Sequence, residues 1–214
     1  MPKVGMQPIR KLQLVEATLT SIERHGLHDT TIMKISQIAG VSTGIINHYF
    51  GGKQPLIEHT VLYLLEQLRT TLLDKTRGKC ISAEERLDAI IESNFSGFHQ
   101  SVAATKAWIS FWEHSLHNDR FARLQRINNQ RLISNLRYSF KQILGNADAH
   151  HAALRMAAMI DGFWLRSALS HHAQSDFEIA EQHCKAYARS LISAQTWSTE
   201  HNQRVSQFSL VSEQ

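Results

Sequence analysis

After Pro55 the sequence runs 159 residues to its last position without another proline, and the only earlier ones are Pro2 and Pro8. At an ordinary frequency of about 5%, roughly eight prolines would fall in a stretch of that length. Proline removes a backbone donor and clashes with the preceding helical turn. A long span without it is therefore open to long helices, and argues against an all-β fold with its many turns. Hydrophobic residues make up 43% of the chain and charged residues 20%, ordinary globular usage that excludes wholesale disorder. The 214 residues suffice for one or two domains with a core. The expected class is all-α.

Apolar spacing fills that frame with helices. Leu12, Val15, Leu19 and Ile22 recur at steps of three and four, the stripe of an amphipathic helix, and Gly26 ends it. Thr30 and Thr31 offer caps to a short second helix carrying Ile32, Ile35, Ile38 and Ala39, and Ser42 can cap a third from Thr43 to Tyr49. A fourth starts near Lys53, is lined by Ile57, Val61, Leu64, Leu65, Leu68 and Leu72, and ends near Arg77 and Gly78. Ser82 and Glu85 then form a capping-box signature, and helices are expected near 83–99, 102–116, 119–143 and 148–171. Ser175 and Glu178 repeat that signature before a last helix to about Ala194. Residues 195–214, rich in Ser, Thr, Gln and Asn, read as a frayed, disordered tail.

Several functions are disfavoured by what the chain lacks. Cys80 and Cys184 are its only cysteines, too few for a disulfide framework and without the paired spacing of a zinc site. The first residues show no signal-peptide core, and no apolar run reaches membrane-spanning length, so a reducing cytoplasm and no membrane partner are expected. His114 and His117 stand three apart, and His150–His151 and His171–His172 are adjacent pairs. With no third ligand or HExxH pattern they read as solvated or capping histidines, not a metal site. No nucleophile elbow, phosphate loop or dinucleotide glycine pattern is present. No catalytic residue, cofactor or metal is expected. The net charge of +4 and pI near 9.2 permit a nucleic-acid partner. They do not locate one, because residues 1–60 and the remainder each carry a net +2.

Thr31 to Tyr49 have the anatomy of a helix-turn-helix: an apolar helix, a turn through Gly40, and a short second helix. Ile35, Val41 and Ile46 would lock the two helices together, leaving Thr43, Gly44, Asn47 and His48 outward. The stretch 31–50, TIMKISQIAGVSTGIINHYF, followed by Lys53 and Leu56, resembles the DNA-binding signature of the TetR family of bacterial repressors. That resemblance implies a three-helix DNA-binding head over 1–55 and a helical ligand-binding and dimerisation domain over 56–194. It also implies a homodimer joined through the last two helices. Gly51, Gly52 and Pro55 depart from the charged residues more usual there. The segments 2–10, 44–50, 106–112 (KAWISFW) and 160–166 (IDGFWLR) further resemble the choline-responsive, BetI-type branch of the family. That branch implies repression of genes for choline uptake and glycine betaine synthesis in the osmotic stress response, relieved by choline. A repressor of another operon, sensing a different cationic or amphipathic ligand, is the alternative.

Carried onto this sequence, the resemblance implies that Thr31, Ser42, Thr43, Gly44, Asn47, His48, Tyr49 and Lys53 meet double-stranded operator DNA. Asn suits adenine and the Thr methyl suits thymine, while His48, Tyr49, Thr31 and Lys53 suit phosphates. Arg10 and Lys11 belong to an N-terminal arm or are merely solvated. A dimer would place its half-sites about one helical turn, or a multiple, apart. A quaternary ammonium offers no N–H, so its recognition needs aromatic faces or a desolvated carboxylate. Trp108, Phe111, Trp112 and Trp164, with Asp161 or Glu113 for charge, are the candidate cage. Ordinary core packing is the competing account of the tryptophans, and Arg155 or Arg166 is a competing partner for Asp161.

Overall fold

The computed structural model describes the backbone of residues 6–211, and the side chains of 7–194 apart from residue 147. The described residues are almost entirely helical and contain no strand: α1 (Met6–His25), α2 (Ile32–Ala39), α3 (Thr43–Phe50), α4 (Lys53–Thr76), α5 (Ala83–Asn94), α6 (Gly97–Gln100), α7 (Val102–Ser115), α8 (Asp119–Leu144), α9 (Asn146–Ala168) and α10 (Ala173–Val211). They form two compact units. One comprises the chain up to Leu73 together with Ser96–Asn128; the other comprises Asp74–Phe95 together with the chain from Asn129 onward.

In the first unit α1 is the central helix, packed on both α2 and α7. Leu14, Val15, Leu19 and Ile22 are buried on it, while Leu12, the expected start of the stripe, is exposed. Gln13 fastens α1 to the end of α2, its amide donating to the Ala39 carbonyl at 2.6 Å. Leu56, Ile57, Val61 and Leu64 of α4, and Phe111 and Phe121 of α7 and α8, complete an apolar core.

In the second unit α10 packs along α9 and against α5. The buried residues of α9 are largely small, Ala149, Ala152, Ala153 and Ala157 among them, together with Met156 and Ile160. Glu92 of α5 accepts from Lys75 and from Lys185 of α10, each at 2.6 Å. Those two ammonium groups hold the carboxyl below its ordinary pKa against the opposing effect of burial.

The structure departs from the sequence expectation at three helix boundaries. The helix expected over 83–99 is broken: α5 begins with the foreseen capping box, Ser82 and Glu85 bonding reciprocally at 3.1 and 2.7 Å, but it stops at Asn94. Ser96, in extended geometry, then starts the four-residue α6. Ser96–Gly97 is the break, a residue prone to capping followed by a poor helix former. The second capping box does not form. Helix α10 already begins at Ala173, so Ser175 lies inside its first turn, its hydroxyl donating to the His172 carbonyl, while Glu178 accepts from Gln174. Finally, α10 does not end near Ala194 but continues to Val211. The span 195–211 is polar yet contains neither glycine nor proline, so nothing in it terminates a helix. The last three positions of the expected tail, and the first five of the N-terminal segment, lie outside the described residues.

Candidate nucleic-acid interface and ligand site

Local rules build the helix-turn-helix. The Thr31 side chain caps α2, accepting from the Lys34 N–H at 3.2 Å. Gly40 ends the helix in the left-handed region at φ 64°, with its own N–H bonded to Gln37 and the Val41 N–H to Ser36. A side chain at that φ would be strained. Ser42 opens α3 in extended geometry without spending its hydroxyl on a cap bond. Ile35 and Ile46 are both fully buried, so α3 is pinned by one residue at its middle. One hundred degrees per residue then turns Thr43, Gly44, Asn47 and His48 to solvent, and all four lie on the accessible side of the helix, as do Thr31 and Ser42.

Tyr49 stands with its ring edge-on to His48 at 5.0 Å. Phe50 is half-buried against His59 of α4, with the Lys11 ammonium 5.8 Å above its ring. Burial and that ammonium keep His59 less basic than an ordinary histidine. Arg10 and Lys11 are thus residues of α1, Arg10 donating to Gln13 at 2.6 Å, and not of a free arm. Gly51 and Gly52 both have positive φ, 77° and 142°, and the Gly51 N–H bonds the Asn47 carbonyl. The departure from charged residues there thus meets a backbone demand. Lys53 reaches back to the α1–α2 connection, its ammonium 3.5 Å from the carbonyls of Leu27 and His28.

Gly44 is different from these glycines. Its φ is not positive, and a Cβ built on it would meet only the Ser42 hydroxyl oxygen at 3.7 Å, ordinary contact. Neither the fold of α3 nor its packing requires glycine, and glycine inside a helix costs about 1 kcal/mol relative to alanine. Gly44 thus leaves the backbone bare on the exposed side of α3.

The candidate ligand residues fall in both units. In the first, Trp108 and Phe111 are buried, their rings 5.7 Å apart, and Phe111 meets Phe121 edge-on at 5.8 Å. Trp112 on the same helix is half-buried. Beside this cluster lies a cavity of about 10 Å³, lined by Leu27, Val61, Phe111, His114 and Phe121 among others, room for about one water and no more. Glu113 is exposed and already engaged, 2.6 Å from His114.

In the second unit Trp164 is buried against Phe177 of α10. Asp161 is half-buried, and among the described residues its carboxylate has no ion-pair or hydrogen-bond partner; neither Arg155 nor Arg166 pairs with it. Burial pushes its pKa up to about 6.

Nothing in the sequence pattern marks His99, which is 1% exposed on α6 and accepts from the Trp108 indole N–H at 3.2 Å. Cys184 is buried, its thiol pushed up to about 12, while Cys80 is exposed; both are free. Among the described residues no group of three or more potential ligands gathers to hold a metal, and no helix is long and apolar enough to cross a membrane.

Residues 14–60 match the family described as bacterial regulatory proteins, tetR family, and residues 83–193 match the C-terminal region of BetI-type transcriptional repressors. The HTH-type transcriptional regulator BetI of Vibrio parahaemolyticus is 48% identical over 171 residues, covering 79% of this chain and 86% of that protein. Its namesake from Pectobacterium carotovorum is 48% identical over 177 residues, covering 81% and 89%. Among solved structures, a transcriptional regulator from Pseudomonas aeruginosa is similar with a TM-score of 0.75 at 29% identity, covering 87% of this chain and 91% of that one. A regulator from Saccharomonospora viridis, solved in complex with choline, is similar in fold with a TM-score of 0.72 at 20% identity, covering 85% and 96%.

Proposed function

Since the chain belongs to the TetR family of bacterial regulators and is a transcriptional repressor of the BetI type, we propose that it silences genes for choline uptake and glycine betaine synthesis and releases them when choline binds. The observation that carries the repressor reading is the divided character of α3. One fully buried isoleucine holds it, and an outward row of small and polar groups, with a glycine its own fold does not require, faces away. A helix of that build enters a major groove. Asn47 pairs with a base edge, and Thr43 lends its methyl to a neighbouring one. Gly44 lets the backbone come close. Thr31, Ser42, His48, Tyr49 and Lys53 contact phosphates, which set register without reading sequence.

Trp108, Phe111, Trp112, Asp161 and Trp164 are the residues assigned in this reading to sensing a quaternary ammonium ligand. Asp161 supports the cationic class: a desolvated carboxylate with no counter-charge among the described residues gains by meeting a cation. Residues 1–55 act as the DNA-binding head and 56–194 as the ligand-binding and dimerisation part, in a cytoplasmic homodimer paired through α9 and α10. Leu154, Leu165, Leu169 and Ile179 are exposed apolar residues on or just beyond those two helices, suited to such a contact. Choline then favours a dimer geometry whose two heads no longer fit neighbouring grooves, with a coupling on the order of 1–3 kcal/mol.

The test is an anisotropy titration of DNA from upstream of the protein's own gene, with and without choline, against scrambled DNA. No preference for the promoter fragment rejects the repressor reading. A preference that choline leaves unchanged within about twofold rejects choline as the effector, since useful coupling is several-fold, and a panel of other organic cations then decides the ligand.

A further inference from the structure

His99 is left with half of its hydrogen-bonding capacity unspent. It sits on α6, in the break between α5 and α7, and is 1% exposed. The Trp108 indole nitrogen can only donate, so its 3.2 Å bond makes His99 Nδ1 the acceptor. Burial drives the imidazole pKa down to about 4, so the ring is neutral at physiological pH and its one proton is on Nε2. That Nε2–H is buried and has no acceptor among the described residues. A buried donor without a partner is costly and rare. The hydroxyls of Ser96 and Thr105, likewise buried without partners, can rotate their protons. The imidazole cannot, because Trp108 holds one side and the Phe98 ring stands edge-on at 5.1 Å. The described residues thus leave this donor for a water or a ligand to meet.

The neighbouring group narrows what meets it. Trp108 is an aromatic face of the kind that binds quaternary ammonium, and its own N–H is the bond that orients His99. We propose that His99 is a specificity-determining residue: its Nε2–H donates to the hydroxyl oxygen of a choline-type cation whose trimethylammonium head lies against Trp108, where side-chain movement must enlarge the water-sized space now present. This rests on the cation-sensing reading above. A neutral donor suits the task, since an imidazolium would repel the ammonium it must sit beside. Tetramethylammonium, with the same head and no oxygen, leaves the Nε2–H unmet.

Calorimetric titration of the full-length protein with choline and with tetramethylammonium tests this, on the parent, His99→Phe and His99→Gln. One neutral hydrogen bond predicts that the parent prefers choline about tenfold. His99→Phe binds the two cations alike while holding tetramethylammonium within about twofold of the parent, and His99→Gln, which keeps a donor, retains part of the preference. A parent that binds both cations equally, or a His99→Phe variant that keeps the full preference, overturns the proposal and leaves the cation reading standing. A parent that binds neither cation overturns both. Should His99→Phe not fold, nitrogen NMR of the histidine-labelled parent decides. Choline shifts the His99 Nε2 resonance and tetramethylammonium does not; equal shifts overturn the proposal.

Discussion

Replacing Asp161 with asparagine should raise the stability of this protein while blunting its response to ligand. Asp161 lies half-buried on α9, without a partner among the described residues, and burial lifts its pKa from 3.8 to about 6. The folded state therefore holds the carboxyl proton more tightly than the unfolded chain does. Below pH 3.8 both states are protonated and no penalty exists. Between 3.8 and about 6 the unfolded chain ionises first and stability falls. Above that range the fold carries the full cost of a desolvated charge.

A rise of about two pKa units corresponds to about 3 kcal/mol, and the carboxylate's partial exposure reduces this to about 1–3 kcal/mol. Asparagine keeps the shape and cannot ionise. Urea unfolding at a fixed protomer concentration should therefore find Asp161→Asn more stable than the parent by that amount at about pH 8, and by about half of it at about pH 5. The same pKa sets the ligand linkage. About nine-tenths of the carboxylates are ionised at about pH 7 and about one-tenth at about pH 5, so the parent's choline affinity should weaken about tenfold between them. In the variant it should be weak and flat. A variant no more stable than its parent in the alkaline measurement would refute the desolvated-charge reasoning. A parental choline affinity indifferent to pH over this range would refute the role of Asp161 in sensing.

Three further outcomes concern the head. Gly44→Ala should raise the melting temperature slightly, worth up to about 1 kcal/mol of helix propensity, and weaken promoter binding; unimpaired binding would mean no backbone approaches DNA there. Asn47→Ala should leave the melting temperature alone and reduce the preference for the promoter over scrambled DNA by about 1–3 kcal/mol, read as a change in the ratio of two anisotropy titrations. Ile46→Ala removes the fully buried side chain that pins α3 and should cost about 2–5 kcal/mol. Calorimetry would register that cost together with loss of all sequence-selective binding.

The head is legible in the sequence because its architecture is carried by short-range rules. A threonine cap, a glycine in the left-handed region and one buried isoleucine suffice: Thr31, Gly40 and Ile46 set where the helices start, turn and are pinned. The helix boundaries in the body are harder to read, for reasons visible in particular residues. Ser96 and Gly97 interrupt an apolar pattern that otherwise continues into Phe98, and periodicity registers apolar positions better than a two-residue break. In α10 the polar composition after Ala194 suggests an end, yet composition stops no helix without glycine or proline to disrupt its hydrogen bonds.

The partners of buried polar groups are a different kind of information. Trp108 stands out as an aromatic at helical spacing, but the fate of its N–H depends on where the break preceding it places His99. Asp161 has Arg155 and Arg166 as neighbours along one helix, and only the packed structure leaves its carboxylate unpaired by either. In both cases the chemistry lies in a mismatch between burial and hydrogen bonding, which no single residue type encodes. A sequence names groups able to bind a cation or read an oxygen; the fold decides which of them are left without a partner among the described residues, and those are the ones with free energy to gain from a ligand.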